Sequence, residues 1–299
     1  MQTNQPNGYY PQYQLPSARV SFCSQKHDIR KADDICRLVL RELPVYSNTR
    51  LERANCSAKY RNVLFTLYRY SESLVSEIRG FCSQAKSPID FYLRKLSAVK
   101  STKVGNCQEL ADITAMAFRM NGAKNADVYS LKAYNPVTNT VRNIDHVVVG
   151  VNITRPLPKP SNSRRDFYGL DRGAIIVDPW AGFTCSERDA SVSYKRDKSL
   201  GFGIKPEEIV IYTQNKDIDM RDMFSKKDIL YFRHMFPELS KKKKFNLWEK
   251  IVWHFMDKSK YEYEKFPISL KETAKRNCNL KSALSTEEFH ELLNGPRNK

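Results

Sequence analysis

Three side chains in this sequence have the types, order and setting of a nucleophilic centre. Cys107 opens an amphipathic run in Gly105-Asn106-Cys107-Gln108-Glu109, and His146 and Asp178 follow on two valine-rich segments. A thiol near neutral pH is mostly protonated and attacks poorly in that form. The first turn of a helix supplies a positive dipole end and backbone N–H groups that lack an intrahelical carbonyl. Those N–H groups can hold the oxyanion that forms when a thiolate attacks a carbonyl. Gly105 permits a tight approach just before the nucleophile. An imidazole then acts as base toward the thiol, and a carboxylate fixes its tautomer. The chemistry in view is acyl transfer.

Each residue taken alone has a plainer reading. A cysteine on an amphipathic helix is more often a small buried apolar residue, and Asp178-Pro179 is a turn signal. The centre gains weight because order, element type and strand register agree. If 144–152 and 174–179 pair antiparallel with His146 directly opposite Asp178, the connection centres on Asn162, within the polar stretch Ser161-Asn162-Ser163. Opposed residues share a face, with Cβ atoms about 4.5–5.5 Å apart. Beside the three, Asn106 and Gln108 are candidate oxyanion donors, although capping serves equally well for them. Trp180 is a candidate wall of the cleft or a core aromatic. Glu109 is expected to complement the helix N-terminus rather than to carry protons. Cys185 reads as a bystander.

The elements that must position these residues are legible in outline. Residues 1–18, rich in Pro, Asn, Gln and Gly, read as a flexible arm. Residues 19–100 form a helical segment packing on the core. Its first helix carries Ile35, Leu38, Val39 and Leu43 and stops at Pro44. A second, over about 57–84, carries Val63, Leu64, Leu67, Leu74, Val75 and Ile78, and a third opens at Ser87-Pro88 with Asp90 in its first turn. The core spans 101–214, with the Cys107 helix closed by Asn121-Gly122, a strand over 126–134, the strands of His146 and Asp178, and a short strand at 208–213. The connection 153–172 reads as a long polar loop. Residues 215–299 read as a C-terminal helical region, whose last helix is capped at Ser285 and ends near Asn294-Gly295. Together these make an α+β fold.

Composition narrows the function classes. With 41% hydrophobic and 28% charged residues, the chain resembles an ordinary soluble globular protein. No apolar run approaches the roughly 20 residues of a membrane helix, and Met1 to Tyr13 lacks the basic-then-apolar pattern of a cleaved signal peptide. Seven cysteines without a CxxC pair argue against a disulfide framework and a zinc ribbon, and for a reducing compartment. No cofactor or metal is expected. The net charge of +17 is least concentrated in 101–214. Basic flanks suit nucleic acid, an anionic membrane or an acidic protein, but no RNP, zinc-finger or Gly-rich phosphate motif accompanies them, which disfavours nucleic acid. Lys241 to Lys244 lead into Leu247, Trp248, Ile251, Val252 and Phe255, a helical stripe that suits peripheral membrane contact, although packing on the domain is the commoner fate; Trp253 falls off this stripe.

Residues 105–180 resemble the core of the transglutaminase-like superfamily within the papain-like cysteine enzymes. The resemblance rests on Gly105, Cys107, Glu109, Ala111, Arg119 and Gly122, then His146, then Val177-Asp178-Pro179-Trp180. It implies a papain/transglutaminase-like core, with Cys107 as nucleophile on a helix N-terminus, His146 as general base and Asp178 as its orienting carboxylate. Gln108 stands where eukaryotic transglutaminases usually carry Trp, and Val147-Val148 where the family often shows Ala-Trp. The acyl acceptor therefore stays open among an amine, water and a cleaved peptide. The arrangement of a small cysteine-enzyme core among helical segments resembles bacterial secreted effector proteins. The tail Glu287-Glu288-Phe289-His290-Glu291 is similar to the C-terminal signals of type IV secreted effectors. That resemblance implies a host protein as substrate and delivery without a signal peptide. The expected activity is glutamine transglutamination or deamidation through a Cys107 thioester. Two alternatives stand beside it: a cysteine protease using the same triad, and a non-catalytic module binding a host protein or anionic membrane through basic helices.

Overall fold

The computed structural model describes residues 22–43, 58–102, 104–123, 125–151, 174–196, 204–205, 208–214, 224–242 and 244–267. The fold joins helices to an antiparallel sheet. Three helices, α1 (Phe22–Glu42), α2 (Ala58–Ser83) and α3 (Pro88–Thr102), precede α4 (Cys107–Met120). Strands β1 (Ala126–Asn135), β2 (Thr140–Val151), β3 (Ile175–Asp178) and β4 (Phe183–Ser186) follow, then α5 (Glu187–Arg196) and β5 (Ile209–Gln214). The C-terminal part holds α6 (Lys226–Met235) and α7 (Leu247–Phe255), with 3-10 turns at Pro237–Leu239 and Ser259–Tyr261. Residues 262–267 are irregular. The expected N-terminal arm, the loop at 153–172 and the capped helix from Ser285 lie outside the described residues.

The five strands are ordered β4-β3-β2-β1-β5, and every neighbouring pair is antiparallel. Alternation along the strands separates two apolar faces. Ala126, Val128, Val147, Val149, Val151, Ile175 and Val177 join the larger buried cluster with residues of α1, α3, α4 and α6. Tyr129, Leu131, Ala133, Ile144, Val148 and Ile176 line the second, which Ala190 and Tyr194 of α5 cover. With both faces covered, β2 and β3 read as near-continuous apolar runs. The first cluster draws on the N-terminal helices, the sheet and the C-terminal helices alike, so these regions share one core.

Two strand features differ from the sequence reading, and both bear on His146. β2 begins at Thr140 rather than 144, because β1 and β2 form a hairpin whose outer end is polar and exposed. The register also slips within that hairpin. Ser130 pairs with Val147 and Lys132 with Asn143, leaving Leu131 opposite Ile144, Asp145 and His146. Such bulges bend a strand and re-aim side chains, and they recur beside active sites. On the other side, β2 and β3 pair as Val149↔Val177, Gly150↔Ile176 and Val151↔Ile175. Continuing that register sets Val148, not His146, beside Asp178. The expected opposition is therefore displaced by two residues. Because side chains alternate with period two, a two-residue displacement keeps both groups on one side of the sheet.

Candidate active site

The residues at the head of α4 are held from three directions. Asn106 adopts an extended backbone as the N-cap (φ −104°, ψ −164°). Its N–H donates to the Glu109 carboxylate at 3.0 Å, and Leu110 N–H closes the first helical bond to Asn106 O at 3.0 Å. Glu109 is fully buried, and Arg79 of α2 clamps it through Nε at 2.8 Å and Nη2 at 3.3 Å. Burial, the largest influence on Glu109, disfavours its charge. Arg79, Lys95 and the Asn106 N–H outweigh it and hold the carboxyl below its usual range. One turn on, Asp112 pairs with Lys95 of α3, both buried, and accepts from Gln108 Nε2 at 3.0 Å. The Gln108 amide is thus turned along the helix toward Asp112. The helical segment before the core does more than pack on it, because α2 and α3 each supply a cation to the first turns of α4.

His146 and Asp178 meet by a diagonal contact across β2 and β3. Nε2 of His146 lies 2.6 Å from Asp178 Oδ2, with both side chains buried. Tyr194 of α5 donates its hydroxyl to the same oxygen at 2.8 Å. The other oxygen, Oδ1, accepts the Ala181 N–H at 2.8 Å, and the Asp178 carbonyl accepts the Gly182 N–H at 2.8 Å. Gly182, at φ +79°, supplies the left-handed residue this turn needs. The turn at Asp178-Pro179 and the contact with His146 therefore coexist: one carboxylate makes both. Trp180 is half-buried and sets its ring 4.9 Å from the imidazole, tilted by 51°.

Cys107 completes the cluster. It is half-buried at the edge of the larger core, and its thiol is near enough to His146 to act on the charge of the ring. Burial is the largest single influence on the His146 ring and favours the neutral form. The charge and hydrogen bond of Asp178, joined by the Cys107 contact, overcome it and push the pKa up to about 10. The other described cysteines have different surroundings. Burial pushes the Cys36 and Cys185 thiols up to about 12 and Cys82 up to about 11. High-pKa buried thiols are inert. Among the described residues, no group of three or more His, Cys, Asp or Glu side chains is arranged to hold a metal ion.

The structure thus brings together Cys107, His146, Asp178 and Trp180, with Asn106 as the helix cap beside them. Sequence reasoning missed Tyr194 and Arg79. Tyr194 lies on a short, polar helix whose only cue is an isolated aromatic, and Arg79 sits on the polar side of α2. Near this site α1 also contributes Cys36, whose thiol lies within electrostatic range of Asp178.

The fold and site define an α+β protein with a cysteine–histidine–aspartate cluster at a helix N-terminus. In comparisons with known proteins, no family model matches the chain, and no curated protein or solved structure matches it either. No described helix is long and apolar enough to cross a membrane.

Proposed function

We propose that the protein is a transglutaminase-like cysteine enzyme that transfers an acyl group from a protein substrate through a thioester at Cys107. The observation that carries this reading is the cluster of Cys107, at the head of α4, with His146 and Asp178, the last two bonded at 2.6 Å. Asp178 occupies Nε2, so Nδ1 is the ring nitrogen that exchanges a proton with the thiol. An imidazolium beside a thiolate is the resting pair that such chemistry uses.

Sγ attacks the carbonyl carbon of a glutamine carboxamide, and the electron pair moves to oxygen, where first-turn N–H groups of α4 receive it. Collapse of the adduct breaks the C–N bond, and ammonia leaves with the proton from His146. A thioester and a neutral imidazole remain. An amine or water then attacks the thioester and surrenders a proton to His146, and the C–S bond breaks to restore the thiolate. An amine acceptor gives transglutamination and water gives deamidation. From the resemblance of its arrangement to bacterial secreted effector proteins we place the substrate in a host cell, with this chain as a secreted effector.

The test is intact-mass analysis after brief exposure to a thiol-reactive amide probe, on wild type and Cys107→Ala. Selective modification of Cys107 over the other six cysteines supports the reading, and indiscriminate or absent labelling defeats it. Candidate protein substrates incubated with a primary amine then separate the outcomes. A mass gain of the amine marks transglutamination, a shift of about one dalton marks deamidation, and fragments mark proteolysis.

A further inference from the structure

The helix α7 presents an apolar face that nothing in the described fold covers. Leu247, Trp248, Ile251 and Phe255 are 75%, 69%, 40% and 80% exposed, and they are four of the seven large apolar side chains that the described surface exposes. Leu247, Ile251 and Phe255 follow one another at successive helical turns, with Trp248 alongside. The opposite side holds the helix down. Val252 and Trp253 pack on the larger core, Trp253 stacks on His234 at 3.6 Å between ring centroids, and Glu249 accepts from Arg233 of α6 at 2.6 Å. The apolar stripe of the sequence is therefore split. Its Val252 turns inward with the off-stripe Trp253, which is the anchor, and the remaining four point away from the domain.

The charge around this face selects its occupant. Lys244, at the head of the helix, and Lys250, on its flank, are exposed. Lys241 and Lys242 lie just before them, paired with Asp34 at 2.7 Å and Glu249 at 2.9 Å. The acids nearby are engaged locally: Glu249 by Arg233 and Lys242, and Asp257 by the Ser259 N–H at 2.9 Å. Trp and Phe beside lysines suit the headgroup–acyl boundary of a bilayer, where aromatic rings sit at the interface and cations meet anionic headgroups. A second copy of this chain fits poorly, because each copy carries +17 and would oppose lysines to lysines. We propose that the outward face of α7 docks on an anionic phospholipid surface, with the four apolar side chains entering the interface and Lys244 and Lys250 contacting headgroups.

Co-sedimentation of the full chain with vesicles of phosphatidylcholine, with and without phosphatidylserine, tests this. Wild type is expected to bind the phosphatidylserine vesicles, less so as salt rises. The double variant Trp248→Glu/Phe255→Glu is expected to lose at least about tenfold in binding, with its unfolding midpoint unchanged because both side chains are exposed. Lys244→Glu/Lys250→Glu is expected to lose about fivefold per lysine and most of the preference for phosphatidylserine. Undiminished binding by the apolar double variant overturns the proposal, since other basic surface then accounts for it. Failure of wild type to bind either vesicle does so too. So does a dimer in sedimentation velocity that only the apolar double variant abolishes, which assigns the face to a second copy. Cys107 labelling is read in parallel and is independent of these outcomes.

Discussion

Tyr194 and His146 converge on one oxygen of Asp178, the hydroxyl at 2.8 Å and the ring nitrogen at 2.6 Å. A carboxylate oxygen that accepts two such bonds cannot swing away from the imidazole. The tyrosine thus acts as a positioning residue for the ring. Removing its hydroxyl leaves the Asp178–His146 bond intact but loosens its direction.

Tyr194→Phe is accordingly expected to lower stability by about 1.5–3 kcal/mol, the scale of a hydrogen bond to a charged group, in urea denaturation. The same variant is expected to slow Cys107 labelling without abolishing it. A structural role alone would leave the labelling rate of the folded protein unchanged, so the rate is the deciding readout.

The pH dependence of stability follows from His146. Its pKa is raised from 6.5 to about 10 on folding, so the folded state holds the proton more tightly than the unfolded chain. The resulting stabilisation is fully present below pH 6.5 and is lost as the pH rises toward about 10. Its size is on the order of a few kcal/mol. Denaturation midpoints of wild type are expected to fall across that window more steeply than those of His146→Gln. Because Cys107 contributes to the raised value, Cys107→Ala is expected to move the His146 titration, followed by NMR, back toward neutrality.

Much of this site was legible because its elements announce themselves locally. Cys107 precedes an apolar periodicity that ends at Asn121-Gly122, and α4 does run Cys107–Met120. The strands of His146 and Asp178 are runs of valine and isoleucine, and β2 and β3 follow them. Register was less legible. Neither the bulge opposite Leu131 nor the β2–β3 pairing that sets Val149 beside Val177 leaves a mark in hydrophobic alternation. The two-residue displacement preserved the face, so the contact survived an incorrect pairing. Partners from afar were not legible at all. Tyr194 and Arg79 reach the site from α5 and α2, and only tertiary packing brings them there.

Arg79 offers a direct check on how the helix head is held. Its guanidinium is the cation of a pair whose carboxylate, Glu109, is buried, while Arg79 itself is 51% exposed. Breaking a buried pair by removing one partner costs about 3–5 kcal/mol, and water screening at Arg79 reduces this. Arg79→Met is expected to cost about 2 kcal/mol in thermal or urea unfolding. Arg79→Lys recovers part of the loss, since a point charge cannot reproduce the two-pronged contact. If the clamp positions the thiol, labelling of Cys107 in folded Arg79→Met slows as well.

The pair beneath it gives the sharpest contrast in sign. Asp112 is buried against Lys95, and burial, its largest influence, holds the carboxyl above its usual value of 3.8 despite the lysine. A carboxyl raised on folding binds its proton more tightly folded than unfolded. Its contribution is fully present below pH 3.8 and is lost as the pH rises through the folded value. Removing the cation must worsen this. Lys95→Met is therefore expected to cost about 3–5 kcal/mol at neutral pH, and acidification is expected to restore much of it as Asp112 takes up a proton. Lys95→Met/Asp112→Asn removes both charges and is expected to be more stable at neutral pH than Lys95→Met alone. Denaturant midpoints at neutral and mildly acidic pH measure all three chains. Equal losses in Lys95→Met at both pH values would show that lost packing around Phe91, whose ring lies 4.3 Å from the ammonium, outweighs the stranded charge.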